Sequence, residues 1–204
     1  MEKNKKKFLI ASGIILLIII IDQVLKIWIK THMMMGEEYR IADWFIIHFT
    51  ENPGMAFGME FGGTSGKLIL SLFRIVAIGF MGWYLFKSIK KGTNYYFIVA
   101  LSLIIAGALG NLIDSAFYGI IFDNSSYQVA ELFPAGKGYG TFLHGKVVDM
   151  FYFPIINGFY PDWVPKVGGQ PFTFFKPVFN IADASITTGV FVFILFYKKV
   201  MKTK

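Results

Sequence analysis

The chain has 204 residues, of which 55% are hydrophobic and only 16% are charged, and its mean hydropathy is +0.55. Soluble domains carry about a quarter charged residues, so this composition excludes a disordered chain and a coiled coil, argues against a soluble globular domain, and indicates a small polytopic membrane protein. The chain has no cysteine, which excludes disulfides, thiol nucleophiles and cysteine-ligated metals.

Four apolar stretches are predicted to cross the membrane, because a helical span needs roughly 20 residues. They cover residues 8–29, 66–86, 95–114 and 178–197. The first stretch begins like a cleavable signal peptide, but its apolar run continues past Asp22 and no small-x-small cleavage site follows. We therefore expect an uncleaved first helix in a single domain that covers residues 1–204.

The lysines predict how these spans are oriented. Residues 2–7, 87–91 and 198–204 hold 11 of the 20 basic residues and one acid, which makes +10, whereas the remainder carries −3. Positive segments stay in the cytoplasm, so both termini and the 87–94 loop are predicted to be cytoplasmic. The 30–65 and 115–177 segments are then extracytoplasmic. The net charge of +7 reflects this topology, and we expect no nucleic-acid partner.

The extracytoplasmic segments have the composition of folded structure. Residues 44–59 contain an aromatic run, a Pro-Gly turn and a second short run, which predicts a short sheet on the outer face. Residues 119–146 are rich in Gly and Ser and are predicted to be irregular. Residues 152–175 combine four prolines with several aromatics, which suits a surface at the lipid headgroups.

Polar residues recur inside the predicted spans, where they are costly and indicate function by default. Three pairs share a helix face by their spacing: Asp22 with Lys26, Asn111 with Asp114, and Asn180 with Asp183. With the predicted topology, these pairs and Arg74 lie at one depth near the outer interface. The sequence therefore predicts a single polar site at that depth.

Structural explanations compete with this functional one. The Asp22–Lys26 pair can be an ion pair that fixes the helix ends, and Asn111 with Asp114 can tie the third helix to the outer sheet. The Arg74 side chain can extend to the interface, and Asp149 can be an ordinary strand-end carboxylate. Asp183 is the hardest to explain structurally, because no cation follows it closely in its apolar helix.

The residue types limit the possible chemistry. The three histidines, His32, His48 and His144, lie outside the spans and lack the spacing of zinc ligands, and no GxSxG motif occurs, so we expect no metal and no cofactor. Carboxylates remain. Two aspartates held close together share one proton, so that one acts as a base on water and the other polarises a carbonyl and serves as an acid.

Five short motifs occur along the whole chain. In order they are residues 22–26 (DQVLK), 52–58 (NPGMAFG), 110–114 (GNLID), 147–151 (VVDMF) and 179–183 (FNIAD). Their order and the four spans resemble the lipoprotein signal peptidase family, also called signal peptidase II. The resemblance implies a mainly α membrane protein with four transmembrane helices, a small extracytoplasmic β-sheet, and an outer loop or mobile helix over the site.

The resemblance also implies an activity. It implies an aspartic endopeptidase of the bacterial inner membrane that cuts a prolipoprotein signal peptide just before a diacylglyceryl-modified cysteine. Motif matching implies Asp149 and Asp183 as the catalytic pair. It implies supporting roles for Asp22, Lys26, Asn52, Gly54, Asn111, Asp114 and Asn180. The implied partners are lipid-modified prolipoproteins, membrane lipid and an inhibitor of the globomycin type.

The sequence departs from the family pattern at three places. Ser115 stands where the family usually has an arginine, and Arg74 or Lys146 is a candidate source of that charge. Met55 replaces an alanine of the second motif. The stretch from Tyr118 to Lys146 is longer than is usual in the family, which affects the expected outer loop and substrate contacts more than the chemistry.

Two other classes of function remain open from the sequence. A small proton-coupled carrier also places Asp, Lys and Asn in its spans, although these charges lie at one depth and form no ladder across the membrane. A non-catalytic membrane scaffold would tolerate loss of Asp149 and Asp183. The 33 residues between these two aspartates leave their proximity open, apart from the resemblance.

Overall fold

The computed structural model describes residues 2–54 and 63–200. Its helices are α1 (Glu2–His32), α2 (Gly63–Lys90), α3 (Tyr95–Ile113), α4 (Gly119–Ile121), α5 (Ile181–Leu195) and α6 (Tyr197–Val200), and a π-helical turn, Asp114–Tyr118, joins α3 to α4. Its strands are β1 (Glu38–Ala42), β2 (Phe45–Asn52), β3 (Val147–Tyr152), β4 (Ile156–Phe159), β5 (Pro171–Phe174) and β6 (Val178–Phe179). The protein is mainly helical with small antiparallel sheets, as the sequence predicts.

In the described part of the chain, three helical segments are long and apolar enough to cross a membrane, because each carries few charges over a stretch of 18 residues. These segments are Glu2–His32, Ser65–Lys90 and Tyr95–Ile121. They contain the first three predicted spans. The third runs beyond the predicted end at residue 114, because the π-helical turn and α4 continue the helical path to Ile121.

The fourth predicted span, 178–197, corresponds to α5 and α6, but the helix begins at Ile181 rather than at residue 178. Val178 and Phe179 pair with β3 instead, and the Asn180 side chain caps the helix by accepting from the backbone N–H of Asp183. α5 has 15 residues and so is about 22 Å long, which is shorter than the apolar core of a bilayer. That α5 crosses the membrane together with α6 stays a prediction.

α3 lies at the centre of the helices and packs against α1, α2 and α5. Its contact with α5 requires glycine. A Cβ at Gly107 would lie 2.1 Å from the Ala182 carbonyl oxygen, and a Cβ at Gly189 would lie 2.7 Å from the carbonyl oxygen of Ala100. Small residues let two membrane helices approach closely, so this contact fixes α5 beside the end of α3.

Four strands form an antiparallel sheet in the order β1-β2-β3-β6. The expected strand in the 44–59 region is present as β2, whereas residues 55–62 lie outside the described part of the chain, together with the end of the second motif. In the register of β2 and β3, Thr50 lies opposite Asp149. β6 leads through Asn180 into α5, so the sheet connects directly to that helix.

The two ends of the helices differ in what surrounds them. At one end, here called the lysine end (residues 2–7, 87–94 and 197–200), Lys7 Nζ lies 2.8 Å from the Gly92 carbonyl oxygen. At the other end, here called the sheet end, α1, α3 and α5 adjoin the four-stranded sheet. The aromatic and aliphatic core at this end includes Phe49, Phe122 and Met150, all buried.

The 119–146 segment is largely irregular after α4, as the sequence predicts, with one isolated bridge between Phe122 and Leu132. It is nevertheless tied to the helices by its backbone. Gly145 N–H donates to the Ser115 carbonyl at 2.8 Å, and Ala130 N–H donates to the Lys30 carbonyl at 3.1 Å. An outer loop or mobile helix over the site stays a prediction. The 119–146 segment is the irregular outer segment that the structure describes.

Candidate active site

Lys26 lies at the centre of a buried polar cluster at the sheet end. Its ammonium nitrogen is 2.8 Å from Asp22 Oδ2 and 2.7 Å from Asp114 Oδ2, and all three side chains are fully buried. It also donates to Asn111 Oδ1 at 2.9 Å. Three oxygens therefore receive the three N–H groups of the ammonium, which is the arrangement a buried lysine requires.

The two carboxylates around Lys26 also bind backbone groups of other elements. Asp22 Oδ1 accepts from the Ala182 N–H at 2.9 Å, in the first turn of α5, where backbone N–H groups lack helical partners. Asp114 Oδ2 accepts from the Val148 N–H of β3 at 3.2 Å. The spacing of Asp22 and Lys26 predicted their ion pair, and the structure extends that pair into a junction of α1, α3, α5 and β3.

Two asparagines connect this cluster to the remaining aspartates. Asn111 Oδ1 faces Lys26, so its Nδ2 points away and donates to Asp183 Oδ1 at 2.8 Å. Asn180 Nδ2 donates to Asp149 Oδ1 at 2.7 Å and to Asn111 Oδ1 at 3.1 Å. The lysine thus sets the orientation of Asn111, and each amide holds one carboxylate.

Asp149 lies within β3, opposite Thr50, rather than at a strand end, and its side chain is buried. Burial, together with the nearby charge of Asp183, raises the pKa of Asp149 to about 7. Among the described residues, the second oxygen of Asp149 receives a single long contact, 3.4 Å from Asn52 Nδ2. Asp149 is therefore a carboxyl group that holds a proton far above the usual range for aspartate.

Asp183 reaches the same place from α5. It is the third residue of the helix, where its carboxylate accepts from the Asn180 backbone N–H at 3.4 Å and completes a reciprocal cap. Asp183 and Asp149 both line one open cavity of about 700 Å³. That volume lies within the range of ligand-binding clefts. Other lining residues are Thr50, Asn52, Arg74 and Asn111.

Arg74 lines this cavity rather than extending along α2 to an interface. Its guanidinium donates to Ser115 Oγ at 3.2 Å and to the Gly54 carbonyl oxygen. Gly54 adopts a φ of +99°, and a Cβ there would lie 3.1 Å from Arg74 Nη1, so glycine suits this turn on both grounds. Within residues 2–54 and 63–200, no carboxylate oxygen lies within 4.0 Å of the guanidinium.

Of the two residues considered as a source of the charge absent at Ser115, Arg74 therefore contacts that serine, whereas Lys146 pairs with Glu51. Lys146 Nζ is 3.1 Å from Glu51 Oε2, and Lys30 Nζ pairs with the other Glu51 oxygen. Burial alone would raise the pKa of Glu51, but these two ammonium groups lower it below the usual range. Lys30 also lies 5.1 Å from the ring centre of Phe122.

Sequence reasoning did not select Glu51, Lys30 or Gln23 for the site. Lys30 could have been found, because Asp22, Lys26 and Lys30 follow one another at four-residue spacing on one face of α1. Gln23 Nε2 donates to Asp114 Oδ1 at 2.8 Å. No local pattern indicates the role of Glu51, since its partners lie in α1 and just before β3.

All the residues implied by the motifs contact this cluster or cavity. Asp22, Lys26, Asn111, Asp114 and Asn180 form the connected buried part. Asn52, Gly54, Asp149 and Asp183 line the cavity. Within the described ranges, no group of three or more His, Asp or Glu side chains has the arrangement of a metal site. Lys26 occupies the position between Asp22 and Asp114 that a cation would take.

Replacing Lys26 is expected to destabilise the protein strongly. The change Lys26→Met leaves Asp22 and Asp114 buried without their cation, and breaking a buried pair in this way costs about 3–5 kcal/mol. For a chain of this size we expect Tm to fall by about 10 °C, measured by thermal unfolding in detergent. Lys5→Met, on an exposed position of the same helix, is the matched control. Equal Tm values for the two variants would contradict the assigned role of Lys26.

Comparison with known proteins is consistent with this geometry. The family model described as "Signal peptidase (SPase) II" matches residues 14–199. A lipoprotein signal peptidase of Porphyromonas gingivalis (strain ATCC 33277) is 52% identical over 191 residues, covering 93% of this chain and 83% of the relative. A lipoprotein signal peptidase of Amoebophilus asiaticus (strain 5a2) is 40% identical over 199 residues, covering 96% of this chain and 79% of the relative.

The fold is also similar to that of a solved bacterial membrane enzyme. The TM-score is 0.59 and the sequence identity is 27%, over 95% of this chain and 91% of the solved chain. The family match covers most of the chain and includes all five motifs, from Asp22 to Asp183. This chain therefore belongs to the signal peptidase II family of bacterial membrane proteases.

Proposed function

We propose that this protein removes the signal peptide from diacylglyceryl-modified prolipoproteins, using Asp149 and Asp183 to activate water. Membership of the signal peptidase II family supports the substrate class. The observation that carries the chemistry is that the carboxyl groups of Asp149 and Asp183, from different elements, line one cavity. A side-chain amide holds each of them, and both amides belong to the hydrogen-bond network of Lys26. A pair of carboxyl groups sharing one proton supplies both an acid and a base.

In this mechanism Asp149 carries the shared proton and Asp183 is the base. Asp149 is the more buried of the two, and within residues 2–54 and 63–200 its Oδ2 has a single long contact, with Asn52, which leaves that oxygen able to bear a proton. Asp183 is less buried than Asp149 and lines the open cavity, where its carboxylate can contact a water molecule. Because the two groups titrate together, the assignment describes the pair in its singly protonated state.

The reaction then follows in two steps. Asp183 takes a proton from water as the water oxygen attacks the carbonyl carbon of the scissile peptide bond, while the Asp149 proton passes to the carbonyl oxygen. As the tetrahedral intermediate collapses, the C–N bond breaks, Asp183 gives its proton to the leaving amine, and Asp149 recovers a proton from the hydroxyl group. Each carboxyl group ends in its starting state.

We assign Arg74 a role in binding the substrate backbone. Its guanidinium has five N–H donors, and the contacts with Ser115 and Gly54 use only some of them within residues 2–54 and 63–200. It lines the cavity with the two aspartates, and its positive charge acts on Asp183. A substrate carbonyl in the cavity would gain a charged donor there, so Arg74 would orient and polarise that carbonyl.

The orientation in the membrane is part of the proposal. The positive lysine end would lie in the cytoplasm with both termini, and the sheet end would lie at the outer face of the inner membrane. The lipid of the substrate would enter laterally between helices, and its signal helix would lie beside the spans. The cut would fall just before the lipid-modified cysteine. An inhibitor of the globomycin type would occupy the cavity.

Loss of either aspartate is expected to abolish cleavage. Asp149→Asn and Asp183→Asn each remove one member of the pair, so the rate should fall by at least about a thousandfold. The measurement is a gel-shift assay of purified protein with a diacylglyceryl-modified precursor. Asp162→Asn, an exposed carboxylate outside the cavity, is the matched control and should cleave normally.

That assay is valid only for variants whose thermal unfolding in detergent matches that of the wild type. If both variants cleave at the wild-type rate, the aspartate pair is wrong. If the folded wild type cuts none of several precursors, the peptidase function itself is wrong and a carrier becomes the better explanation.

Activity is expected to fall as the pH rises through about 7, because Asp149 then loses the proton that the pair shares. Above that pH the rate should decline about tenfold per pH unit, measured with a lipid-modified precursor in detergent. A rate that stays constant from pH 6 to pH 9, with the protein still folded, would contradict the protonation state assigned to the pair.

The pH dependence of the free energy of unfolding reports independently on the proton bound to Asp149. In the unfolded chain the Asp149 carboxyl titrates near its ordinary value of 3.8, whereas in the folded protein its pKa is about 7. The folded state therefore binds the extra proton across that window, and the free energy of unfolding falls as pH rises through it. Asp149→Asn should weaken this dependence.

Arg74→Met is expected to reduce kcat/KM by on the order of 100-fold, because the cavity loses a charged donor. Arg74→Lys should retain part of the activity, since it keeps the charge but lacks the planar fork. Steady-state kinetics with the same precursor provide the measurement. Wild-type kinetics for a folded Arg74→Met variant would contradict the role of Arg74.

A further inference from the structure

The chain between β3 and β6 forms a hairpin whose apolar side chains are unusually exposed. Its strands, β4 and β5, pair with each other in a two-stranded antiparallel sheet. Trp163, between the two strands, is 81% exposed, and Phe159 is 72% exposed. Further exposed apolar residues of this hairpin are Ile155, Ile156, Phe174 and Phe175. An apolar surface of this kind indicates contact with a partner or a membrane.

Chain connectivity places this hairpin beside a membrane helix. β3 and β6 are neighbours in the four-stranded sheet, so the hairpin leaves and re-enters that sheet at adjacent strands. β6 is followed by Asn180, which caps α5. From Phe174 at the end of β5 to Ile181 at the start of α5, an extended chain reaches at most about 25 Å. The hairpin therefore stays close to the sheet end of α5.

The same connection forms part of the cavity wall. Pro177, Val178 and Phe179 line the cavity that contains Asp149 and Asp183. The exposed side chains of Phe174 and Phe175 precede this wall in the chain, and one exposed residue, Lys176, separates them from it. The hairpin is thus joined to the rim of the cavity by a very short stretch of chain.

We propose that the hairpin 155–175 is a membrane-contact element, which inserts its exposed aromatic and aliphatic side chains into the phospholipid leaflet beside the cavity. Tryptophan favours the boundary between lipid and water, which suits Trp163. Lys166 and Lys176 are exposed on or next to the hairpin, and their ammonium groups can reach lipid phosphates while their stems lie along apolar surface. The inference rests on α5 entering the membrane but not on the proposed cleavage reaction.

A lipid surface fits better than a protein partner for a geometric reason. The short connection to α5 holds the apolar side chains within reach of the leaflet that this helix enters. If the hairpin faced water at this short distance from the leaflet, six large apolar side chains would stay exposed to water beside lipid. Insertion removes them from water and also fixes the height of the cavity rim relative to the leaflet.

Tryptophan fluorescence in vesicles tests this inference. The full-length protein carries Trp28, Trp44 and Trp83 changed to Phe, so that Trp163 is the only fluorophore of its type. It is reconstituted into phosphatidylcholine vesicles with plain acyl chains or with acyl chains brominated near the headgroup. We expect brominated lipid to reduce its emission about twofold or more, and aqueous iodide to have little effect.

The matched control carries the single tryptophan elsewhere. In the same background, Trp163→Phe is combined with Tyr127→Trp, at a position on the 119–146 segment that is 93% exposed. We expect iodide, and not brominated lipid, to quench this variant. If triple replacement disturbs folding, the difference in quenching between wild type and the single variant Trp163→Phe supplies the same comparison.

Two results would overturn the proposal. One is quenching of Trp163 by iodide without quenching by brominated lipid, which would place the hairpin in water. The other is equal quenching of both positions by brominated lipid, which would show that the hairpin is no deeper than the 119–146 segment. Because no precursor is present, failure of the cleavage mechanism leaves this readout unaffected.

Discussion

One buried ammonium group, Lys26 Nζ between Asp22 and Asp114, is the interaction on which the rest of the site depends. An unpaired charge in this interior would be costly, so the lysine brings α1 and α3 to a fixed separation. Asp22 then holds the first turn of α5 through Ala182 N–H, and Asp114 holds β3 through Val148 N–H. The elements that carry Asp183 and Asp149 are thereby fixed relative to the same point.

The four aspartates of the buried cluster and the cavity divide into two kinds by their charge partners. Asp22 and Asp114 both pair with the one ammonium group of Lys26 and serve as fixed acceptors. Asp149 and Asp183 have no ammonium or guanidinium nitrogen within 4.0 Å in residues 2–54 and 63–200, and amides hold them instead. Burial and the negative charge of Asp183, which lines the same cavity, together raise the pKa of Asp149.

Part of the buried cluster was predictable from the sequence. Asp22 and Lys26 are four residues apart, so any α-helix over this stretch places both side chains on the same face. The approach of Asp149 to Asp183 was not predictable from spacing, since 33 residues separate them and only the packing of β3 beside β6 and α5 closes that distance. The start of α5 at Ile181 and the pairing of Lys30 with Glu51 depend on strand pairing and on contacts far apart in the chain, which local patterns do not encode.

The most direct test of the account is the identity of the cleavage products, determined by mass spectrometry after the purified protein has acted on a diacylglyceryl-modified prolipoprotein. The account predicts one cut, which releases the intact signal peptide and leaves a fragment whose first residue is the lipid-modified cysteine. A cut at another position would contradict the way the cavity is proposed to hold its substrate. The absence of any cut by the folded protein would contradict the proposed activity itself.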